Sequence, residues 1–226
     1  MSATGRPERE LAPERAARRY SNERFMEFVV QIGSLEKQRT DCIVVGVYEG
    51  GKLSPSAIEL DAASRHAINE ALSRGDLDGE LGMTLLLART PNAASERVLL
   101  VGLGPEGDFV ESSYHTALCA ATKTLSTTGA AEATLCLNEL SVNGRDDVWK
   151  IEQAVLAVMD CMYRFDDLKS EPPKRKLALK KVALHVADRP DAAVAEAAID
   201  RAVAIAEGIT LAKDLGNLPA NVCTPT

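Results

Sequence analysis

Two glycine-rich runs have the spacing of phosphate-binding loops, and each fails on its chemistry. Gly46-Val47-Tyr48-Glu49-Gly50-Gly51-Lys52-Leu53 follows an apolar run and departs by one residue from the P-loop pattern G-x-x-x-x-G-K-[ST]. Leu53 takes the place of the hydroxyl that holds magnesium, Glu49 repels phosphate, and Pro55 starts the next helix too late for its first amides to reach an anion. An ordinary glycine turn is the simpler reading. Gly102-Leu103-Gly104-Pro105-Glu106-Gly107 satisfies G-x-G-x-x-G after a strand-like run. In a dinucleotide site the helix begins within the glycines; here Pro105, Glu106 and Asp108 intervene, and helical spacing resumes near Ser112.

The other chemistry-bearing residues are dispersed. His66, His115 and His185 fall on two helical runs and a strand, with no H-E-x-x-H and no Cys/His cluster, and no G-x-S-x-G elbow occurs. Asp166, Asp167, Asp188, Asp191 and Asp214 read as helix caps and solvated faces. One basic stretch, Lys174, Arg175, Lys176, Lys180 and Lys181, has the charge to contact a DNA phosphate backbone, against the simpler reading of a linker and a lysine-protected strand edge. Cys42, Cys119, Cys136, Cys161 and Cys223 are odd in number, far apart and mostly within apolar runs, which predicts buried, reduced thiols in a reducing compartment.

A net charge of -7 removes any whole-chain attraction to nucleic acid or anionic lipid. Residues 1–25 mix six arginines with Glu8, Glu10, Glu14 and Glu23 and contain no apolar core, so they read as a charged disordered tail rather than a secretory or transit signal, and Met26 is a second candidate start. No apolar run approaches membrane-spanning length, and the expected location is the cytoplasm with no membrane partner.

The elements that would position these residues alternate. Strands are expected at Met26 to Val30, Cys42 to Val47, Met83 to Ala88, Arg97 to Val101, Ala133 to Leu137 and Leu179 to Val186, the second being a continuous apolar run covered on both faces. Helices are expected from Ser56 to Gly75 with Ser56 and Glu59 as a capping box, from Ser112 to Thr128, from an Asp146-Asp147 cap with Val148, Ile151, Val155, Met159 and Met162 on one face, and from Asp191 to Ala212 before a Gly216-Asn217-Leu218-Pro219 turn. Buried strands alternating with amphipathic helices predict a three-layer α/β sandwich around a mixed, mostly parallel sheet over residues 26–210, followed by a linker at 211–226.

Several segments in order resemble the amino-terminal domain of the bacterial leucyl aminopeptidases, or cytosol aminopeptidases. They are Glu36-Lys37-Gln38-Arg39 with Cys42 to Val47, Leu53-Ser54-Pro55, Thr84 to Leu87, Gly144-Arg145 with Trp149-Lys150, and Ala212-Lys213-Asp214-Leu215-Gly216-Asn217-Leu218-Pro219. The resemblance implies a macro-domain-like front part of a hexameric enzyme. Its rear part would remove unsubstituted amino-terminal residues, leucine preferred, from peptides through two divalent metals (manganese, zinc or magnesium). The family's catalytic motifs G-K-G-x-T-F-D-S-G-G and N-T-D-A-E-G-R-L do not occur in these 226 residues, so no catalytic or metal residue is carried over and the chain alone is expected to be inactive. The expected partners are its own catalytic domain and further copies of the protein, with DNA as the alternative.

Overall fold

β2 (Cys42–Tyr48) is buried along its whole length, and its side chains alternate between two cores. Cys42, Val44 and Tyr48 enter the larger core, while Ile43, Val45 and Val47 enter the smaller one. This is why the run reads as continuously apolar: a pleat sends successive side chains to opposite faces, and here both faces are dry. β5 (Arg97–Gly102) repeats the division, with Leu99 and Val101 on one side and Val98 and Leu100 on the other. Each such aliphatic side chain contributes roughly 1.5–3 kcal/mol by leaving water.

The structure is a computed structural model describing residues 26–166, 178–187 and 189–219. Besides β2 and β5, the sheet holds β1 (Glu27–Ile32), β3 (Lys52–Leu53), β4 (Thr84–Ala88), β6 (Glu132–Leu135) and β7 (Lys181–Val186), in the order β1-β7-β6-β2-β5-β4. The first five of these run parallel, β4 is an antiparallel edge, and β3 pairs antiparallel with the last residues of β2. The predicted mixed, mostly parallel sheet is present. On its smaller face lie α1 (Pro55–Ala63) and α2 (Ala67–Ser73); on the larger lie α3 (Glu111–Thr127), α4 (Asp147–Met162) and α5 (Arg189–Asn217).

Four local expectations need correction. The single helix after Pro55 is two helices, because Arg65 and His66 adopt left-handed backbone (φ 58° and 63°). Buried Asp61 holds that break, accepting from the Asn69 amide at 3.0 Å, from His66 Nδ1 at 2.9 Å and from the Asn69 side chain. The capping box also fails: Ser54 caps α1, Glu59 accepts from the Leu35 amide at 2.9 Å, and Ser56 donates to Glu139 at 2.5 Å. Long-range partners have taken both members of the expected pair. The strand after Ala131 stops at Leu135 and turns into a 3-10 segment at Leu137–Glu139. Finally, α5 continues through Gly216 and Asn217, where a turn was expected.

The helix after Asp146 matches its sequence reading. Asp146 accepts from the Trp149 amide at 2.8 Å, and the face of Val148, Ile151, Val155, Met159 and Met162 packs on the larger core. Lys150 on the same helix is buried, its ammonium donating to the Leu140 carbonyl at 2.9 Å and pairing with Asp147 at 2.7 Å. Tyr114 of α3, fully buried, donates its hydroxyl to the Lys150 carbonyl at 3.0 Å, and burial pushes its pKa up.

Candidate functional site

In an open α/β sheet the ligand crevice lies outside the carboxyl ends of the strands, so both glycine-rich runs are in the expected place. Several of their amides are already bonded within the chain. The amides of Gly102, Leu103 and Gly104 donate to the carbonyls of Met83 at 2.8 Å, Val47 at 2.9 Å and Gly79 at 2.9 Å, and the Glu49 amide donates to Gly104 at 3.1 Å. The segment from Gly79 to Gly82 lies directly on these strand ends. A methyl group added at Gly102 would sit 1.9 Å from the Glu80 carbonyl oxygen, and one at Gly79 (φ +89°) would sit 2.2 Å from that of Tyr48. Lys52 of the first run pairs with Glu106 of the second at 2.5 Å, so the cation a phosphate would need is matched by a carboxylate. The Gly79 to Gly82 segment covers the ends of β2 and β5.

Nor does the fold gather the remaining candidates. His66 is exposed beside Asp61, His185 Nε2 lies 2.9 Å from the Gly33 carbonyl, and His115 is on the solvent side of α3. Among the described residues no group of three or more His, Cys, Asp and Glu is placed to hold a metal ion. Lys174, Arg175 and Lys176 lie outside the described residues, as do Asp167, Asp188 and Cys223. Lys180 is exposed with its amide bonded to the Ala131 carbonyl, and Lys181 opens β7 with its ammonium 4.0 Å from Glu132. Asp214 accepts from the Tyr163 hydroxyl at 3.0 Å.

The cysteines divide in a way their spacing did not reveal. Cys42 and Cys136 are buried as expected, and burial pushes the Cys42 thiol up to about 12. Cys119 and Cys161 are instead partly exposed and face each other across α3 and α4, with sulfurs 3.0 Å apart.

Helical spacing puts Val194, Ala198, Ala202, Ile205 and Ile209 in register on the last helix, α5, but of these only Ala198 and Ala202 are buried, and Ile205 and Ile209 in its second half are exposed. Its inner face, Ala195, Ala198, Ile199, Ala202 and Ala206, is buried, and the helix is tied to α4 by Arg201 on Glu152 at 2.5 Å and by Lys213 on Asp160. Beyond Ala202 the helix leaves Ile205, Ile209, Leu211 and Leu215 between 42% and 50% exposed.

The model for the N-terminal domain of the cytosol aminopeptidase family matches residues 44–172. The chain belongs to the cytosol aminopeptidase family. A probable cytosol aminopeptidase of Thioalkalivibrio sulfidiphilus is 47% identical over 201 residues, which is 89% of this chain and 40% of that protein. One of Methylobacillus flagellatus is 46% identical over 201 residues, with the same shares of 89% and 40%. The chain therefore spans about 40% of the length of these curated relatives, the part that forms the N-terminal domain. A tomato leucine aminopeptidase mutant superposes with a TM-score of 0.68 at 22% identity, over 91% of this chain and 41% of that one. The bottromycin maturation enzyme BotP gives 0.59 at 22% identity, over 82% and 34%. At that identity the two structures show the shared fold alone. Within this N-terminal domain of the cytosol aminopeptidase family, no helix among the described residues is long and apolar enough to cross a membrane.

Proposed function

We propose that this domain is the non-catalytic support of a leucyl aminopeptidase, seating the catalytic part of the enzyme on the second half of α5. The observation that carries this reading is the pairing of covered strand ends with half-exposed aliphatic side chains on the second half of the last helix described. In the proposed whole enzyme the catalytic part removes unsubstituted amino-terminal residues from peptides, with two divalent metals (manganese, zinc or magnesium) that polarise the scissile carbonyl and activate water. The described residues supply no donor set for such metals, so none of those steps is assigned to them. A hexameric assembly and a cytoplasmic location complete the reading, the latter supported by the relatives' name, cytosol aminopeptidase.

Two measurements test it. The chain alone, with leucine p-nitroanilide and manganese, is expected to show no turnover above background. A chimera in which residues 26–219 replace the matching part of the Thioalkalivibrio sulfidiphilus relative is expected to hydrolyse that substrate. Placing Ile205→Asp and Leu215→Asp together in the chimera should reduce its activity about tenfold, the cost of burying charge in an apolar contact. A doubly substituted chimera as active as the parent sinks the assignment of α5 as the seat.

A further inference from the structure

We propose that Cys119 and Cys161 are a modification site, closing to a reversible disulfide between α3 and α4 when the protein meets a peroxide. Cys119 lies midway along α3 and Cys161 in the last turn of α4, 42 residues apart in sequence. The helices are held side by side by Ala117, Leu118 and Ala121 against Ala154, Val155 and Val158, all in the larger core. The Cys161 thiol donates to Cys119 Sγ at 3.0 Å. A disulfide needs about 2.05 Å, so the sulfurs have roughly 1 Å to travel, within reach of side-chain rotation and a small helix shift.

The surroundings differ for the two sulfurs. His115 stands one turn before Cys119 with ring nitrogens 3.7 and 3.8 Å from its sulfur, and Lys123 stands one turn after on the same exposed stripe of α3. Cys119 Sγ thus accepts the Cys161 thiol hydrogen with an imidazole alongside it on its own helix. Cys161 is the opposite: burial first, then Cys119 and the nearby Asp160 carboxylate, push its thiol up to about 12, with Lys123 pulling weakly the other way. Cys119, which accepts the Cys161 thiol hydrogen and has the His115 ring beside it, is the attacking sulfur and Cys161 the resolving one.

The chemistry balances in two steps. Cys119 thiolate attacks one oxygen of hydrogen peroxide, the O–O bond breaks, and a sulfenic acid and hydroxide form. The hydroxide takes the Cys161 proton, the Cys161 sulfur displaces the sulfenic oxygen, and that oxygen leaves as water once protonated. Two thiols lose two electrons and two protons, and the peroxide is reduced to two waters. Cys42 and Cys136, fully buried, do not take part.

The full chain, reduced and then given one equivalent of hydrogen peroxide, tests this. Its five thiols should fall to three, and peptide mapping should find Cys119 joined to Cys161. The oxidised form should melt about 4 °C or more above the reduced form, because the link closes a long loop. With Cys161→Ser, oxidation should stop at a sulfenic acid on Cys119 that dimedone traps; with Cys119→Ser, Cys161 should stay reduced. His115→Ala should slow the reaction several-fold and leave the product unchanged. Five thiols still titrating, a link to any other cysteine, or equal reactivity of Cys161 without Cys119 would overturn the proposal. Mapping of the unsubstituted chain decides even where a variant fails to fold.

Discussion

At the carboxyl ends of β2 and β5 the amides of Gly102, Leu103 and Gly104 are bonded to carbonyls of the same chain, whereas in the second half of α5 four large aliphatic side chains remain about half in water. The first region has glycines where a ligand site would have them, but uses them to let the Gly79 to Gly82 segment lie against the strands. The second has no motif at all, only residues with nothing on them. In this domain a glycine pattern reports close backbone packing, and the proposed seat of the catalytic part is marked instead by side chains left half exposed.

Perturbing the plugged ends should have the largest effect. Gly102→Ala forces its methyl group into the Glu80 carbonyl and should cost about 3 kcal/mol or more in urea unfolding. A loss below about 1 kcal/mol would mean that the Gly79 to Gly82 segment lifts away easily, and the loops would again be candidates for a ligand. Asp61→Ala, which strips the carboxylate acceptor from the α1–α2 break, should cost roughly 1 kcal/mol by removing its hydrogen bonds to the Asn69 amide and the His66 ring.

The same carboxylate sets a pH dependence. Burial alone would raise its pKa, but the Asn69 amide and the side chains of His66 and Asn69 outweigh burial and hold it below the usual aspartate value. A depressed folded pKa stabilises the fold above the unfolded value, and this is lost as pH falls through the folded one. Asp61→Asn should therefore weaken the acid limb of the stability profile measured between about pH 5 and pH 2; an unchanged limb refutes the assignment.

On the open helix the expected stability changes are small and the surface changes are not. Ile205→Ser with Leu215→Ser should shift unfolding by about 0.5 kcal/mol or less and lower the fluorescence of a bound hydrophobic dye. A large destabilisation would show that these side chains already have partners, and the contrast with the strand ends would collapse. Smallest of all is the basic stretch: changing Lys174, Arg175, Lys176, Lys180 and Lys181 to alanine is expected to leave duplex DNA retention unaltered at physiological salt. A drop, with the salt slope falling by about one unit per lost contact, would assign that stretch to DNA instead.

Much of the sheet was legible because its signal is local and strong. Cys42 to Val47 announced a strand covered on both faces, and Asp146 announced its helix, since an acceptor three residues before Trp149 needs no distant partner. The errors fall where distant residues decide. Glu59 and Ser56 carry the capping-box spacing, but Leu35 and Glu139 compete for them, and neither competitor is visible within a helical window. The Arg65-His66 break was hidden for the same reason, as Asp61 supports a backbone that these residue types rarely adopt. Cys119 and Cys161 meet only because α3 packs on α4, so no spacing rule could join them.

The pairing of β1 with β7 bears on when this domain can be finished during synthesis. Glu27 is matched to Lys181, so the first strand waits for about 154 further residues before its neighbour exists. At a ribosomal pace of about 5–20 residues per second that interval is roughly 8–30 s. Throughout it Phe28, Val30 and Ile32 have no sheet to join. Among the described strands β7 is thus both the last to be made and the one whose arrival lets β1 pair, so the earliest strand and its late partner meet at one ladder.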